Sequence, residues 1–204
     1  LYGTEEELLR AETFDKYLIL SHRWEDPAHP DLDCTKLKEL QKVLRERPEI
    51  EGVWMDFSCL PQGEKTEEER EFFDHCLQNV NLLYLHGNVL VFLDKEYNTR
   101  FWTQYEFFLC SHKATPQGLV PKTKAEFEMR VTIVSIDGTK DVVRDISDGI
   151  VAADVETNPR FGPLAFQSLA NWFAGKPVAQ KQIMHDALYD KANAKKSLAA
   201  GAVY

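Results

Sequence analysis

The sequence predicts an α/β domain with a flavodoxin-like, mainly parallel sheet of about five strands and helices on both faces. Three observations predict it. Residues 16–21 (Lys-Tyr-Leu-Ile-Leu-Ser) and 88–93 (Asn-Val-Leu-Val-Phe-Leu) are short continuous apolar runs, the pattern of strands covered on both sides. Between them lie segments with apolar residues at helical spacing: Leu37, Leu40 and Leu44 in one, Phe73, Leu77, Val80 and Tyr84 in another. Strand and helix patterns alternate over short connections, which implies βαβ units with right-handed crossovers.

Taken in order, the strand over 16–21 leads into a loop holding Pro27 and Pro30, then into a helix over 35–46 that Pro48 stops. A second strand covers 52–57, and Leu60-Pro61-Gln62-Gly63 behind it is a turn. The acidic stretch 64–71 opens the next helix, with negative charge at the positive end of its dipole, and reads as a solvated helix start rather than a metal cluster. After the strand at 88–93, a helix spans 98–112, and Pro116, Gly118 and Pro121 mark 113–129 as a linker. Residues 130–136 form a fourth strand, stopped by Asp137-Gly138, and Gly149 to Val155 supply a fifth, at the edge. A helix over 163–174 and an Ala-rich helix over 178–200 complete the chain, and no internal repeat is present. The organisation is an N-terminal extension (1–13), one domain (14–175) and a C-terminal helical tail (176–204).

A chain of 204 residues with 44% hydrophobic and 11% aromatic side chains supports one good core. Its net charge of -9 leaves no basic surface for phosphodiesters, so nucleic acid is excluded as a main partner. Cys34, Cys59, Cys76 and Cys110 show no CxxC spacing and read as reduced thiols, with no metal site. No apolar span long enough for a membrane and no targeting segment is visible, so a cytoplasmic protein is expected. The lack of an initial Met reads as an excised fragment.

In parallel sheets ligands collect beyond the carboxyl ends of the strands, which directs attention to residues 21–26, 56–63 and 94–106. The first segment, Ser21-His22-Arg23-Trp24-Glu25-Asp26, offers an arginine fork for a phosphate and two rings, His22 and Trp24, for stacking. Alternatively, Arg23 pairs with Glu25 or Asp26 while Trp24 packs on the sheet edge. Asp56 either faces the cleft or caps the NH groups of its own loop, beside Phe57 and Cys59. Cys59 has no positioned histidine after it and reads as a plain thiol. On the third helix Trp102 and Glu106 stand four residues apart on one face, next to Tyr105. A carboxylate in that apolar setting needs a partner, a proton or a ligand, and an ion pair with Arg100 or Lys113 is the structural alternative. His75, His86, His112 and His185 read as inert.

These stretches, in this order, resemble the Toll/interleukin-1 receptor (TIR) domain over residues 14–175. Ser21, Arg23, Glu25 and Asp26 match its SxRxED pattern; Trp54, Met55, Asp56, Leu60 and Gly63 match FIDxxxLxxG; Trp102 and Glu106 match the helix of its NAD-cleaving branch; and residues 132–138 match its fourth strand. The phrases LSHRW and WMDFSCLPQ are also similar to the fungal heterokaryon-incompatibility (HET) domain. The resemblance implies an NAD glycohydrolase of immune or cell-death signalling, releasing nicotinamide and ADP-ribose or a cyclic isomer. It implies Glu106 as the catalytic carboxylate facing an oxocarbenium-like ribosyl cation. Substrate would be held by Ser21, His22, Arg23 (on the pyrophosphate), Trp24, Asp56, Phe57, Cys59, Trp102 and Tyr105. NAD would be substrate, with no further cofactor and no metal, and neighbouring copies would self-associate through TIR-like surfaces. A non-catalytic adaptor and a nucleoside deoxyribosyltransferase-like enzyme are the alternatives.

Overall fold

Continuous apolar sequence makes β1 (Tyr17–His22) a strand buried on both sides, with Leu18, Ile19, Leu20 and Ser21 nearly inaccessible. The computed structural model describes residues 14–156, 162–182 and 186–203. The expected N-terminal extension and His185 lie outside the described residues. The chain divides into two units, one running to Val134 and one from Ser135. In the first, β1 is flanked in parallel by β2 (Gly52–Trp54) and β3 (Asn88–Leu93), with Ile19 opposite both Trp54 and Val89. β6 (Val131–Ile136) lies beyond β3, so the order is β2-β1-β3-β6. This is the mainly parallel α/β sheet the sequence predicts. Side chains alternate along β1, sending Leu20 and His22 to one face and Ser21 to the other, and helices cover both faces.

The helix on the Leu20 side, α1 (Thr35–Glu46), buries Lys36, Glu39 and Val43, while Leu37 of the expected apolar stripe is 46% exposed. Lys36 is buried because all three ammonium protons have acceptors: Arg23 O at 2.9 Å, Pro30 O at 2.8 Å and Glu25 Oε1 at 2.8 Å. Asp31 caps the helix from outside, its two carboxylate oxygens accepting from the NH groups of Lys36 and Leu37. The loop between β1 and α1 is thereby wrapped around one cation.

The expected strand over 52–57 ends at Trp54. Asp56–Cys59 instead forms a single helical turn, α2, in which the Phe57 NH donates to the Asp56 carboxylate at 2.7 Å. The long helix α3 (Glu67–His86) starts with a capping box in which Thr66 and Glu69 satisfy each other's backbone NH groups. It meets β3 at Gly87, where a Cβ would press on Ile19 and on the Leu83 carbonyl. A 3₁₀ turn (Tyr97–Thr99) and α4 (Phe101–Cys110) together occupy the expected helix over 98–112. The expected linker 113–129 is ordered: β4 (His112–Thr115) and β5 (Gly118–Pro121) form a hairpin, followed by α5 (Lys124–Arg130) with a second capping box between Thr123 and Glu126.

In the second unit, α6 (Lys140–Ser147) buries Val143 and Ile146 and packs against α8 (Ala194–Ala199). β7 (Ala153–Val155) lies within the stretch expected as the edge strand, but it is not the edge, because β8 (Leu188–Asp190) pairs antiparallel with it and takes that place. α7 (Gly162–Phe173) agrees with the expected helix over 163–174. The Ala-rich helix over 178–200 is corrected: β8 and the short α8 stand in it, because Asp190 accepts from the NH groups of Ala192 and Asn193 and turns the chain between them.

Replacing Lys36 by Met leaves the Arg23 and Pro30 carbonyls and the Glu25 carboxylate without their shared donor. We expect a loss of about 3 kcal/mol in urea unfolding; a change within about 0.5 kcal/mol, as for an ordinary surface lysine, would contradict the burial.

Candidate functional site

Ser21 is fully buried near the end of β1, and its hydroxyl must find partners inside the protein. It finds two on the α4 side. The Tyr97 hydroxyl lies 2.5 Å from Ser21 Oγ, and Ser21 Oγ donates to Glu106 Oε2 at 2.6 Å. With the carboxylate ionised, Tyr97 donates to Ser21 and Ser21 donates to Glu106, a one-way chain of protons. Burial pushes the Glu106 carboxyl up to about 7; hydrogen bonds from Ser21 and Tyr84 pull it back, and the Asp56 charge raises it further. Arg100 and Lys113, the alternative partners, do not hold it: Lys113 pairs with Glu126, and Arg100 has no ion-pair partner among the described residues.

Asp56 is the second polar centre. Its Oδ1 meets His22 Nε2 at 3.2 Å and accepts the Phe57 NH, while Oδ2 accepts from Trp24 Nε1 at 2.9 Å. Burial alone would raise its pKa, but the His22 bond and charge, with the Phe57 and Trp24 donors, leave it below the ordinary carboxylate value. Both sequence readings of Asp56 therefore hold together, since it caps its own turn and lines the cleft. Arg23 pairs with neither Glu25 nor Asp26. It donates to Asp94 Oδ2 at 2.9 Å and lies 3.4 Å from Glu96 Oε2, so its charge is already balanced.

These groups border a cleft of about 330 Å³ beyond the carboxyl ends of β1 and β2. Of the expected site residues, His22, Arg23, Trp24, Asp56, Trp102 and Glu106 line it. Ser21 backs Glu106 from the core. Phe57 packs edge-on against Trp24 and faces a different cavity. Cys59 is exposed on α2 and Tyr105 stacks on Phe101, and neither lines the cleft. Trp102 is 61% exposed, so the desolvation of Glu106 comes from the core around Ser21 rather than from an enclosing indole. Gln62 of the expected 56–63 segment also lines it, whereas the opposite wall, Phe73, Leu77 and Val80 of α3 with Trp54, is not assigned to the site by the sequence. Its signal was the stripe on α3, read as core although only Tyr84 of it is buried.

No family model matches the chain. A stretch of 69 residues is 33% identical to the fructose import binding protein FruE of Bifidobacterium longum (strain NCC 2705), covering 34% of this chain and 21% of that protein. Among solved structures, the chain is similar to a galactofuranose binding protein at 14% identity and a TM-score of 0.48, covering 94% of this chain and 58% of that one. It is also similar to the periplasmic binding protein component of the arabinose ABC transporter from Shewanella sp. ANA-3, at 15% identity and a TM-score of 0.46, covering 96% and 57%. The chain thus spans about a fifth of the curated relative and less than two thirds of either solved one.

These are sugar-binding proteins, and none is a TIR or HET domain. They overturn the expected TIR membership and HET similarity, the NAD glycohydrolase activity and signalling role with both alternatives, the partnership with NAD, self-association through TIR-like surfaces, and the cytoplasmic location. The site is consistent with that correction. Arg23, expected on a pyrophosphate, is occupied by two carboxylates. Burial pushes the carboxyl of Glu106, expected as the fixed anion opposite a cation, up to about 7.

The raised Glu106 pKa sets a direction for stability. The protonated side chain's contribution is full below its ordinary value of 4.5 and is lost as pH rises through about 7. Glu106→Gln removes that dependence. Relative to wild type, its unfolding free energy should rise by about 2–3 kcal/mol between the two ends of that window. Urea titrations at each end measure it, and a difference that does not change with pH would refute it.

Proposed function

We propose that the cleft binds a neutral, monosaccharide-sized polyhydroxylated ligand and does not transform it. The observation that carries this reading is the cleft's two-sided chemistry. Asp56, Glu106, Arg100 and Gln62 offer acceptors and donors within one space of about 330 Å³, and Phe73, Leu77, Trp54 and Trp102 offer apolar surface. A sugar ring has the matching character, with hydroxyls that each donate and accept at its rim and C–H faces that pack on rings. The size lies at the lower end of small-molecule sites, about 300–1,000 Å³. Glu106, titrating near neutrality, is suited to hydrogen bonding with a hydroxyl in either protonation state.

The stretch of identity to a fructose import binding protein supports the same class of ligand. In this reading the protein needs no cofactor or metal, and its role is solute capture outside the cytoplasm, as in the periplasmic relative.

Calorimetric titration with D-fructose, D-galactose and L-arabinose tests the proposal. Saturable one-site binding of at least one of them is expected, weakened about tenfold by Trp102→Ala, which removes an aromatic face worth about 1 kcal/mol or more. Absence of binding by all three at millimolar sugar would reject the monosaccharide reading.

A further inference from the structure

A separate cavity, of about 270 Å³, is bordered by the end of α3, by β4 and by α5. His86, Lys113, Lys122 and Arg130 line it, all groups that carry or can take positive charge, and Glu126 is the one carboxylate among the lining residues. In a chain whose net charge is -9, such a gathering needs a cause. Part of the cause is structural. The last carbonyls of α3 stand at the negative end of its dipole and lack partners within the helix. Lys122 Nζ donates to Leu85 O at 3.4 Å and to Cys110 O at 2.8 Å, and Arg130 Nη1 donates to His86 O at 3.3 Å.

Those bonds leave charge and donors over. Lys113 is balanced by Glu126 at 2.5 Å, and Arg130 by Asp15 at 2.5 Å. Glu126 is further engaged by Thr123, accepting from its NH and its hydroxyl. Lys122 is half-buried, yet among the described residues no carboxylate lies in ion-pair range of it, and its third proton has no acceptor. Arg130 Nε and Nη2 likewise make no hydrogen bond among the described residues. The cations also press on one another. Burial first, then Lys122 and Arg130, hold His86 below its ordinary pKa, and burial with Arg130 lowers Lys122. The two ion pairs cancel, so the cavity keeps the Lys122 charge while His86 is neutral and gains another when His86 is protonated.

We infer that this cavity binds a small, doubly charged oxyanion, held by the Lys122 ammonium, the unused Arg130 NH groups and the His86 ring. The site is independent of what the cleft binds. The anion offsets the repulsion that keeps His86 neutral, so the ring takes a proton from solvent on binding, and Lys122 with His86 then matches both negative charges. A singly charged anion of the same shape offsets less of that repulsion and leaves the match incomplete.

Sulfate is the probe, because it stays doubly charged while His86 titrates; methyl sulfate keeps the tetrahedral head and carries a single charge. In calorimetry at low ionic strength, one-site sulfate binding is expected, at least about tenfold tighter than that of methyl sulfate. The His86 titration followed by NMR should shift to higher pH in sulfate. No saturable binding, equal affinities for the two anions, or an unmoved His86 midpoint would overturn the assignment. Lys122→Met should weaken sulfate binding about tenfold or more; an affinity unchanged from wild type would also overturn it. Because Lys122 ties two carbonyls, a second variant guards against a loss through misfolding. Glu126→Gln keeps the capping-box chemistry and removes the opposing charge, so it should tighten sulfate binding about threefold; an equal or weaker affinity would place the anion elsewhere.

Discussion

The Ser21 hydroxyl has no access to water, and everything at the mouth of the first unit follows from how it is satisfied. It bonds the Tyr97 hydroxyl and the Glu106 carboxyl at once, which fixes the 3₁₀ turn and α4 against the end of β1. The turn and the helix are tied to each other by the Thr103 hydroxyl, shared between the Tyr97 and Arg100 carbonyls, and by Gln104 Nε2, which donates to the Asn98 carbonyl. The same arrangement draws a carboxyl group into a region where its charge is costly, and so sets its proton affinity near neutrality. Structure and site chemistry thus share one cause.

Asp56 and Lys36 repeat the logic on either side of His22. Each is a charged group held by matched partners, the half-buried Asp56 by an imidazole, an indole NH and a backbone NH, the fully buried Lys36 by two carbonyls and a carboxylate. Trp24, held by its indole NH on Asp56, cannot swing freely, which gives the cleft a fixed aromatic edge. His22 is the exception among these groups, with one nitrogen matched and one not.

Strands covered on both faces were readable because burial leaves no polar alternation, as in β1, β3 and β6. The run 52–57 looked alike, yet Asp56 bonds its own turn and ends the strand early, a local competition that hydropathy does not register. In 113–129, Pro116 and Gly118 signal a turn without signalling the strands that flank it, and the helix shows in the sequence only as the capping-box spacing of Thr123 and Glu126. Lys36 was unreadable because its burial depends on carbonyls as far away as Arg23. Within the site, the segments after β1 and β2 and the position of Glu106 were found from strand-end reasoning. The α3 wall was not, because helical periodicity marks an apolar face without saying whether core or cleft lies against it. The TIR-like phrases in those segments imply an activity that the identity to a fructose import binding protein does not support, since short motifs at strand ends reflect a fold that many chemistries use.

The central claim is that Glu106 is held by Ser21 in a desolvated site. Following the ¹³C resonance of the Glu106 side-chain carboxyl as pH is raised from roughly 4 to 9 tests it directly. The account predicts a midpoint near 7 that moves higher in Ser21→Ala, because the lost bond is one that favours the ionised form. A midpoint in the ordinary glutamate range, about 4.3, unchanged by removing the serine hydroxyl, would contradict it.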